Sequence, residues 1–531
     1  MFPRVTETRL CTVTEVYWPM ADGVELYTRI TKPTAAKKCP IVYMRTPYEA
    51  APTEEPPKAR WEEFDENDYI RAGYCLVRQH VRGRGGSGGH FRAYDEREDG
   101  LFTLKHLRKL DCYMGEIYLL GESYTAAAHL SWLDAAPEDV KGAALAVMSC
   151  RQYPRFYING CNYDYCNLSW WRLVYDREYP QPIREDAFKR PYRFPRPFRD
   201  AMAHVQGENI PVLSQFMLHD QDDEFWNSYP QSYRPKGFRV PILFTGGWYD
   251  RFMTAMLQDW QHLPEETRKK SAFLIGPWGH GLKLSGKPTE RTMPEGARPT
   301  NTGLLWFEHL RKGTPAPYEE GRLTVYSVGS GWQTIPYPVP GNDSLRLNFL
   351  PDGILSAEDT GIGRISFRYD PENVPQCFSN APGALGHDPG TVEGVTTFQT
   401  APFEEEQRFC GHHKWRMTVE SDCEDTMFFL RLSIVEDGKA WKLTDFSAAL
   451  SNVCPDYKPG EKVTLELTSP LMAFTVKPGV SLRADISSFC NIYVPHANVR
   501  GPWAEVTETK IARNTLHLDG AVLELAKDPD L

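Results

Sequence analysis

The chain reads as an α/β protein built on a parallel sheet, interrupted by a helical insertion and followed by an all-β tail. Three observations carry this reading. Short apolar runs alternate with helix-like stretches in the first third. An aromatic, proline-rich stretch breaks that rhythm, and strand-like runs then return. Beyond about residue 322 the texture turns to alternating apolar and polar residues with no helices between them.

The apolar runs are Pro40–Arg45, Tyr74–Val81, Glu116–Gly121 and Gly142–Met148, with "DGLFTLKHLRKL" and "SYTAAAHLSWLDAA" between them. Strands joined through helices must be parallel and covered on both faces, which is why they read as continuous hydrophobic runs. From 149 to 236 the chain is rich in Tyr, Trp, Pro and Arg, as in "NYDYCNLSWWRLVYDREYP", and reads as an irregular helical insertion. Val240–Gly247 and Ser271–Trp278 resume the strands, and "TGLLWFEHLRKG" reads as a helix. The tail contains "RLTVYSVG", "SLRLNFL", "RMTVES", "TMFFLRLSIVE", "KVTLELTS" and "VSLRADISS", the pattern of a two-sheet antiparallel sandwich. The expected units are therefore 1–148 (core, first part), 149–236 (helical insertion), 237–322 (core, second part) and 323–531 (β tail).

At 531 residues the chain is too long for one core, and its 41% hydrophobic and 24% charged residues are ordinary for a globular protein. A net charge of −10 and the lack of a long basic run argue against a nucleic-acid partner. The first residues, "MFPRVTETRLCTVTEVYW", lack the apolar run of a signal peptide, and no stretch is long enough for a membrane span, so a cytoplasmic protein is expected. The 12 cysteines are scattered with no CxxC pair, as expected of free thiols in a reducing compartment; Cys161 and Cys166 are near neighbours but not enough for a bridge or a metal.

Three residues share one topological position. Ser123 follows "EIYLL", Asp250 follows "PILFTGG", and His280 follows "AFLIG". Each lies just past the carboxyl end of a predicted parallel strand, the edge where open α/β sheets bind ligands. Their order is that of the α/β-hydrolases. A serine hydroxyl is a poor nucleophile until a histidine takes its proton, and a carboxylate must fix that histidine's tautomer. The elbow pattern G-x-S-x-G is nevertheless broken here: Gly121-Glu122-Ser123-Tyr124-Thr125 lacks the last glycine. A strict match stands elsewhere, at Gly85-Gly86-Ser87-Gly88-Gly89, overlapping a G-x-G-x-x-G string (Gly83, Gly85, Gly88). No helix opens there, so neither a nucleophile nor a phosphate cradle is expected, only a flexible structural loop. His412 and His413 beside Cys410 lack metal-site spacing and are expected at a turn or strand end. The acidic run His219–Phe225 is expected on a solvated face.

Five motifs in order, "MRTPY", "VRGRGGSGG", "GESY", "GGWYD" and "GPWGHG", resemble the CocE/NonD serine hydrolases, the family of cocaine esterase, α-amino-acid ester hydrolases, glutaryl acylases and X-prolyl dipeptidyl peptidases. The resemblance spans nearly the whole chain. It implies an α/β-hydrolase core, a helical cap and a C-terminal jelly roll. It also implies an oxyanion hole made by the hydroxyl of Tyr48 and the backbone N–H of Tyr124. Without it, Tyr48 reads as a buried tyrosine closing a turn. Two departures stand out: Glu122 and Ala126 replace elbow glycines, and His80 replaces an aspartate before the Gly-rich loop.

The resulting expectation is a serine hydrolase, needing no cofactor and no metal, that cleaves an ester or small amide through an acyl-enzyme: Ser123 attacks, His280 shuttles the proton, Asp250 orients it. Phe252, Trp170 and Trp171 are expected to wall the pocket, and Glu122 to contact a cationic substrate or pair with an arginine. An X-Pro dipeptidyl peptidase or aminoacyl hydrolase using the same triad is the alternative, with Glu122 or Asp220–Glu224 holding the ammonium. A non-catalytic ligand-binding protein is the alternative of a different class. The expected partner is a small molecule, with no membrane, and a homodimer is an expectation at the family level.

Overall fold

A computed structural model describes residues 3–48, 66–162, 168–178, 196–229, 234–282, 301–341, 343–375, 378 and 386–529. One 11-stranded sheet organises the first 335 residues. Its strands are β1 (Arg4–Glu7), β2 (Cys11–Pro19), β3 (Glu25–Pro33), β4 (Cys39–Thr46), β5 (Cys75–His80), β6 (Tyr113–Glu122), β7 (Val140–Ala146), β10 (Ile242–Gly247), β11 (Ala272–Gly276), β12 (Leu323–Ser327) and β13 (Gly331–Ile335). A small hairpin outside this sheet, β8 (Tyr157–Ile158) and β9 (Cys161–Asn162), lies in the insertion. Across the sheet the order is β1-β2-β3-β5-β4-β6-β7-β10-β11-β12-β13. The run from β5 to β12 is parallel, and antiparallel strands close both edges.

The period of two along each strand decides which residues cover which face. Ile41, Tyr43, Val77, Ile117, Leu119, Leu145, Phe244 and Ile275 point to one side and pack with residues of helices Tyr124–Leu130 and Met253–His262. Val42, Met44, Leu76, Tyr118, Ala144 and Leu243 point to the other, under Tyr69 and Ile70 of helix Glu66–Arg71 and Trp306 and Phe307 of helix Thr302–Lys312. Both faces are covered, so the central strands carry no polar face.

Three features depart from the sequence reading. The edge strands β1 and β2 go unannounced, because β1 is exposed and β2 only half-buried, leaving little contrast between their faces; β3 is mostly buried, but its sequence ELYTRITKP is too polar to read as an apolar run. The sheet also runs past residue 322: β12 pairs in parallel with β11, and β13 closes the edge, so the alternating "RLTVYSVG" belongs to the core sheet and not to the tail. Finally, the insertion holds the short hairpin besides its helices Leu168–Val174, Ala201–Gln206, Pro211–Leu218 and Glu224–Ser228.

The tail forms two antiparallel sheets. Their inner faces meet through pairs such as Trp415 with Phe446 and Phe349 with Phe398. His412 and His413 lie within the strand Gln407–Ser421, at a bulge, and not at its end. His413 is buried, and its Nδ1 accepts from the Ala526 N–H at 3.2 Å, so the pair supports the bulge where the ladder slips. No helix among the described residues is long and apolar enough to cross a membrane.

Candidate active site

Four strand ends of the parallel sheet converge on one cleft. Ser123 stands directly after β6, Asp250 after β10, His280 after β11 and Tyr48 after β4. Ser123 has φ 53° and ψ −127°, a conformation that costs a non-glycine residue on the order of 1–3 kcal/mol. The turn is held by its backbone: the Ser123 N–H donates to Ala146 O at 3.0 Å, and Ser123 O accepts from the Ala127 N–H at 3.0 Å. Gly121 is required, because a Cβ there would lie 2.6 Å from the backbone of Thr125 and Ala126. The position two after the serine does not need glycine, since Thr125 is buried without displacing the helix. The broken elbow pattern is therefore geometrically harmless.

Ser123 Oγ lies 2.8 Å from His280 Nε2. His280 Nδ1 lies 3.2 Å from Asp250 Oδ1, which also accepts from the Phe252 N–H at 3.3 Å. The Asp250 side chain is fully buried and that of His280 about a third exposed, so the ring bridges core and cleft. The Phe252 ring sits 5.3 Å from the His280 ring.

The Tyr48 hydroxyl is within hydrogen-bonding reach of the Ser123 side chain and the Tyr124 N–H. Burial holds its pKa above the ordinary tyrosine range, so it stays protonated and able to donate. Trp170 Nε1 donates to the same oxygen at 3.1 Å, which occupies a lone pair and leaves the hydroxyl proton for another acceptor. Tyr124 is anchored through its own hydroxyl, which donates to Glu96 Oε1 at 2.9 Å and accepts from the Tyr94 N–H at 2.7 Å. Glu96 in turn accepts from the buried Arg45 at 2.7 Å.

Two family profiles match the chain, one from β3 through β11 with the insertion between them, the other over most of the tail. Residues 22–282 match the profile of the X-Pro dipeptidyl-peptidase (S15 family), and residues 349–523 match the X-Pro dipeptidyl-peptidase C-terminal non-catalytic domain. The cocaine esterase of Rhodococcus sp. (strain MB1 Bresler) is 25% identical over 477 residues, covering 80% of this chain and 81% of that protein. The chain belongs to the CocE/NonD family of serine hydrolases. Solved structures share its fold along nearly the whole length. An aminopeptidase from a marine sediment archaeon (Thaumarchaeota archaeon) superposes with a TM-score of 0.79 at 18% identity, covering 99% of this chain and 98% of that one. An α-amino-acid ester hydrolase gives 0.77 at 18% identity, covering 97% and 96%. A CocE/NonD family hydrolase from Staphylococcus aureus gives 0.68 at 13% identity, covering 97% and 93%.

In this family member the cleft is lined by Tyr48, Tyr94, Glu122, Met148, Arg155, Trp170, Arg251 and Phe252 around Ser123 and His280, and opens to solvent. Trp171 does not reach it. That ring is fully buried behind Trp170, at 5.1 Å, and packs on Phe216. Glu122 borders both the cleft and a second cavity below the elbow. The acidic run is absent from the cleft lining: Asp223 caps the helix Glu224–Ser228, and Asp222 pairs with Arg151. Cys161 is a free thiol in the hairpin, and Cys166 lies outside the described residues.

Arg155 escaped the sequence reading. Its guanidinium lies 4.9 to 5.6 Å from the ring centroids of Phe156, Tyr94, Trp170 and Phe252, a cation held among aromatic faces in the wall of the cleft. No local signal marks it, since one arginine in an arginine-rich insertion looks like its neighbours. The Gly-rich loop also has a task here. Arg84 Nε donates to Pro47 O at 3.1 Å and Nη2 to Leu173 O at 3.1 Å, so the loop ties the Tyr48 turn to the helix carrying Trp170. His80 supports the loop by accepting the Gly86 N–H on Nδ1 at 2.9 Å.

Proposed function

We propose that the chain hydrolyses carboxylic esters or small amides through an acyl-enzyme, on an α/β-hydrolase core with a helical cap and a jelly-roll tail. The observation that carries this reading is the 2.8 Å approach of Ser123 Oγ to His280 Nε2 at a strained strand-to-helix turn. In the first half-reaction His280 Nε2 takes the Ser123 proton as Oγ attacks the carbonyl carbon. Asp250, accepting from His280 Nδ1–H, holds the tautomer and stabilises the imidazolium. The Tyr48 O–H and the Tyr124 N–H donate to the oxyanion as it forms. His280 then protonates the leaving alcohol or amine. Water enters, loses its proton to the same nitrogen, and releases the acid.

The cleft favours acyl groups without a positive charge. Its described lining carries two guanidinium groups, Arg155 and Arg251, against one carboxylate, Glu122. An aminopeptidase reading needs a net acidic subsite for the substrate ammonium, and Asp220–Glu224 contributes nothing to the lining. Neutral p-nitrophenyl esters assayed beside X-Pro-p-nitroanilides test this reading. Ester turnover lost in Ser123→Ala, with little anilide cleavage, is expected. Efficient anilide cleavage with negligible ester turnover would reverse the preference.

A further inference from the structure

At the opposite end of the same sheet, three thiols meet. Cys39 opens β4, Cys75 opens β5, and Cys112 immediately precedes β6. The ten-residue β6 separates this cluster from the elbow by on the order of 30 Å. All three side chains are buried, and their Sγ atoms lie within 4.8 Å of one another. Strand register brings them together. Cys75 pairs with Ile41, two residues beyond Cys39 and on the same face, and the Cys39 N–H donates to Cys112 O at 2.9 Å. Each sulfur faces the other two across this shared buried space. On β3, Thr31 pairs with Leu76, which sets the next residue, Lys32, across from Cys75; its ammonium acts electrostatically on Cys39 and Cys112.

We propose that Cys39, Cys75 and Cys112 form a three-thiolate site for a soft divalent cation, with Zn²⁺ the expected occupant. Donor chemistry selects the ion class: three sulfurs, with no carboxylate or imidazole in the group, suit Zn²⁺ or Cd²⁺ and not Mg²⁺ or Ca²⁺. Distance allows it. Zn–S bonds of about 2.3 Å place the sulfurs just under about 4 Å apart, so the trio need contract by less than about 1 Å. Charge allows it too. Binding releases three protons, M²⁺ + 3 RSH → M(SR)₃⁻ + 3 H⁺, with no change of oxidation state, and the Lys32 ammonium neutralises the single negative charge that remains. An uncompensated charge at that depth would be costly. Such an ion would staple the starts of three adjacent strands, β5, β4 and β6, without touching the cleft.

The test uses the full chain, reduced, stripped with chelator and titrated with Cd²⁺ while thiolate-to-cadmium charge transfer is followed in the ultraviolet. The site predicts an end point at one Cd²⁺ per chain, displacement by Zn²⁺, and loss of the band in Cys39→Ser, Cys75→Ser and Cys112→Ser but not in Cys150→Ser. Ester hydrolysis in each variant certifies its fold. X-ray absorption of the zinc-loaded wild type, which depends on no variant, should show a first shell containing three sulfurs. The proposal is overturned by a wild type with no saturable band, by a band that survives in any folded variant of the three, or by a first shell of nitrogen and oxygen only.

Discussion

Ser87 and Ser123 each stand in a turn that follows a strand of one sheet, and each has a glycine two residues before it. Ser87 has the strict G-x-S-x-G spelling. Its hydroxyl is spent on its own surroundings, donating to His80 O at 2.8 Å and accepting the Tyr27 N–H at 3.0 Å, with the residue 2% exposed. Ser123 has the broken spelling, yet its turn is held by backbone bonds and its hydroxyl is left to face His280. A motif letter therefore says less than which atoms hold the turn. Where the side chain closes the loop, it cannot also react. Main-chain bonds help close both turns, with the Ser87 N–H donating to Arg84 O at 2.8 Å, but only at Ser123 is the side chain left available.

The largest effect expected from this contrast is at Ser123. Ser123→Ala should lower kcat for a p-nitrophenyl ester by on the order of 10⁶-fold, as triad nucleophile removals do, while thermal unfolding shows a folded protein. Tyr48→Phe removes one oxyanion donor and should cost on the order of 10²–10³ in kcat, visible as a loss in turnover and not in substrate affinity. Arg155→Met removes a cation from the cleft wall. It should improve turnover of an α-amino acyl ester relative to its uncharged analogue by about tenfold, the scale of two like charges about 12 Å apart at an effective dielectric of about 20. Smallest on turnover is Ser87→Ala. It leaves the buried Tyr27 N–H without its acceptor and should destabilise the fold by about 1–3 kcal/mol in denaturant titration, with wild-type turnover in the folded enzyme. Inverted outcomes at the two serines would break the comparison.

Much of this is legible in the amino-acid sequence itself. The parallel strands were visible because they are buried on both faces and so spelled as apolar runs. Ser123, Asp250 and His280 were visible because each ends such a run. Tyr48 was legible only through the resemblance, since a tyrosine after Thr-Pro looks like any turn residue. Other parts depend on tertiary packing across long stretches of chain. Trp170 reaches Tyr48 over 122 residues, and Glu96 holds Tyr124 from a loop that carries no motif. Trp171 could not be told from Trp170 by spacing, because a one-residue step along a helix decides which ring meets the cleft. The Cys39, Cys75 and Cys112 trio was hidden for a similar reason. The three residues lie far apart in sequence, and only the register of parallel strands makes them neighbours.

The elbow account is tested most directly by reacting the wild type with a fluorophosphonate and mapping the adduct by mass spectrometry. A single phosphonylated residue, Ser123, lost in Ser123→Ala and retained in Ser87→Ala, is the result the geometry predicts. An adduct on Ser87, or labelling that persists after Ser123→Ala, would contradict it.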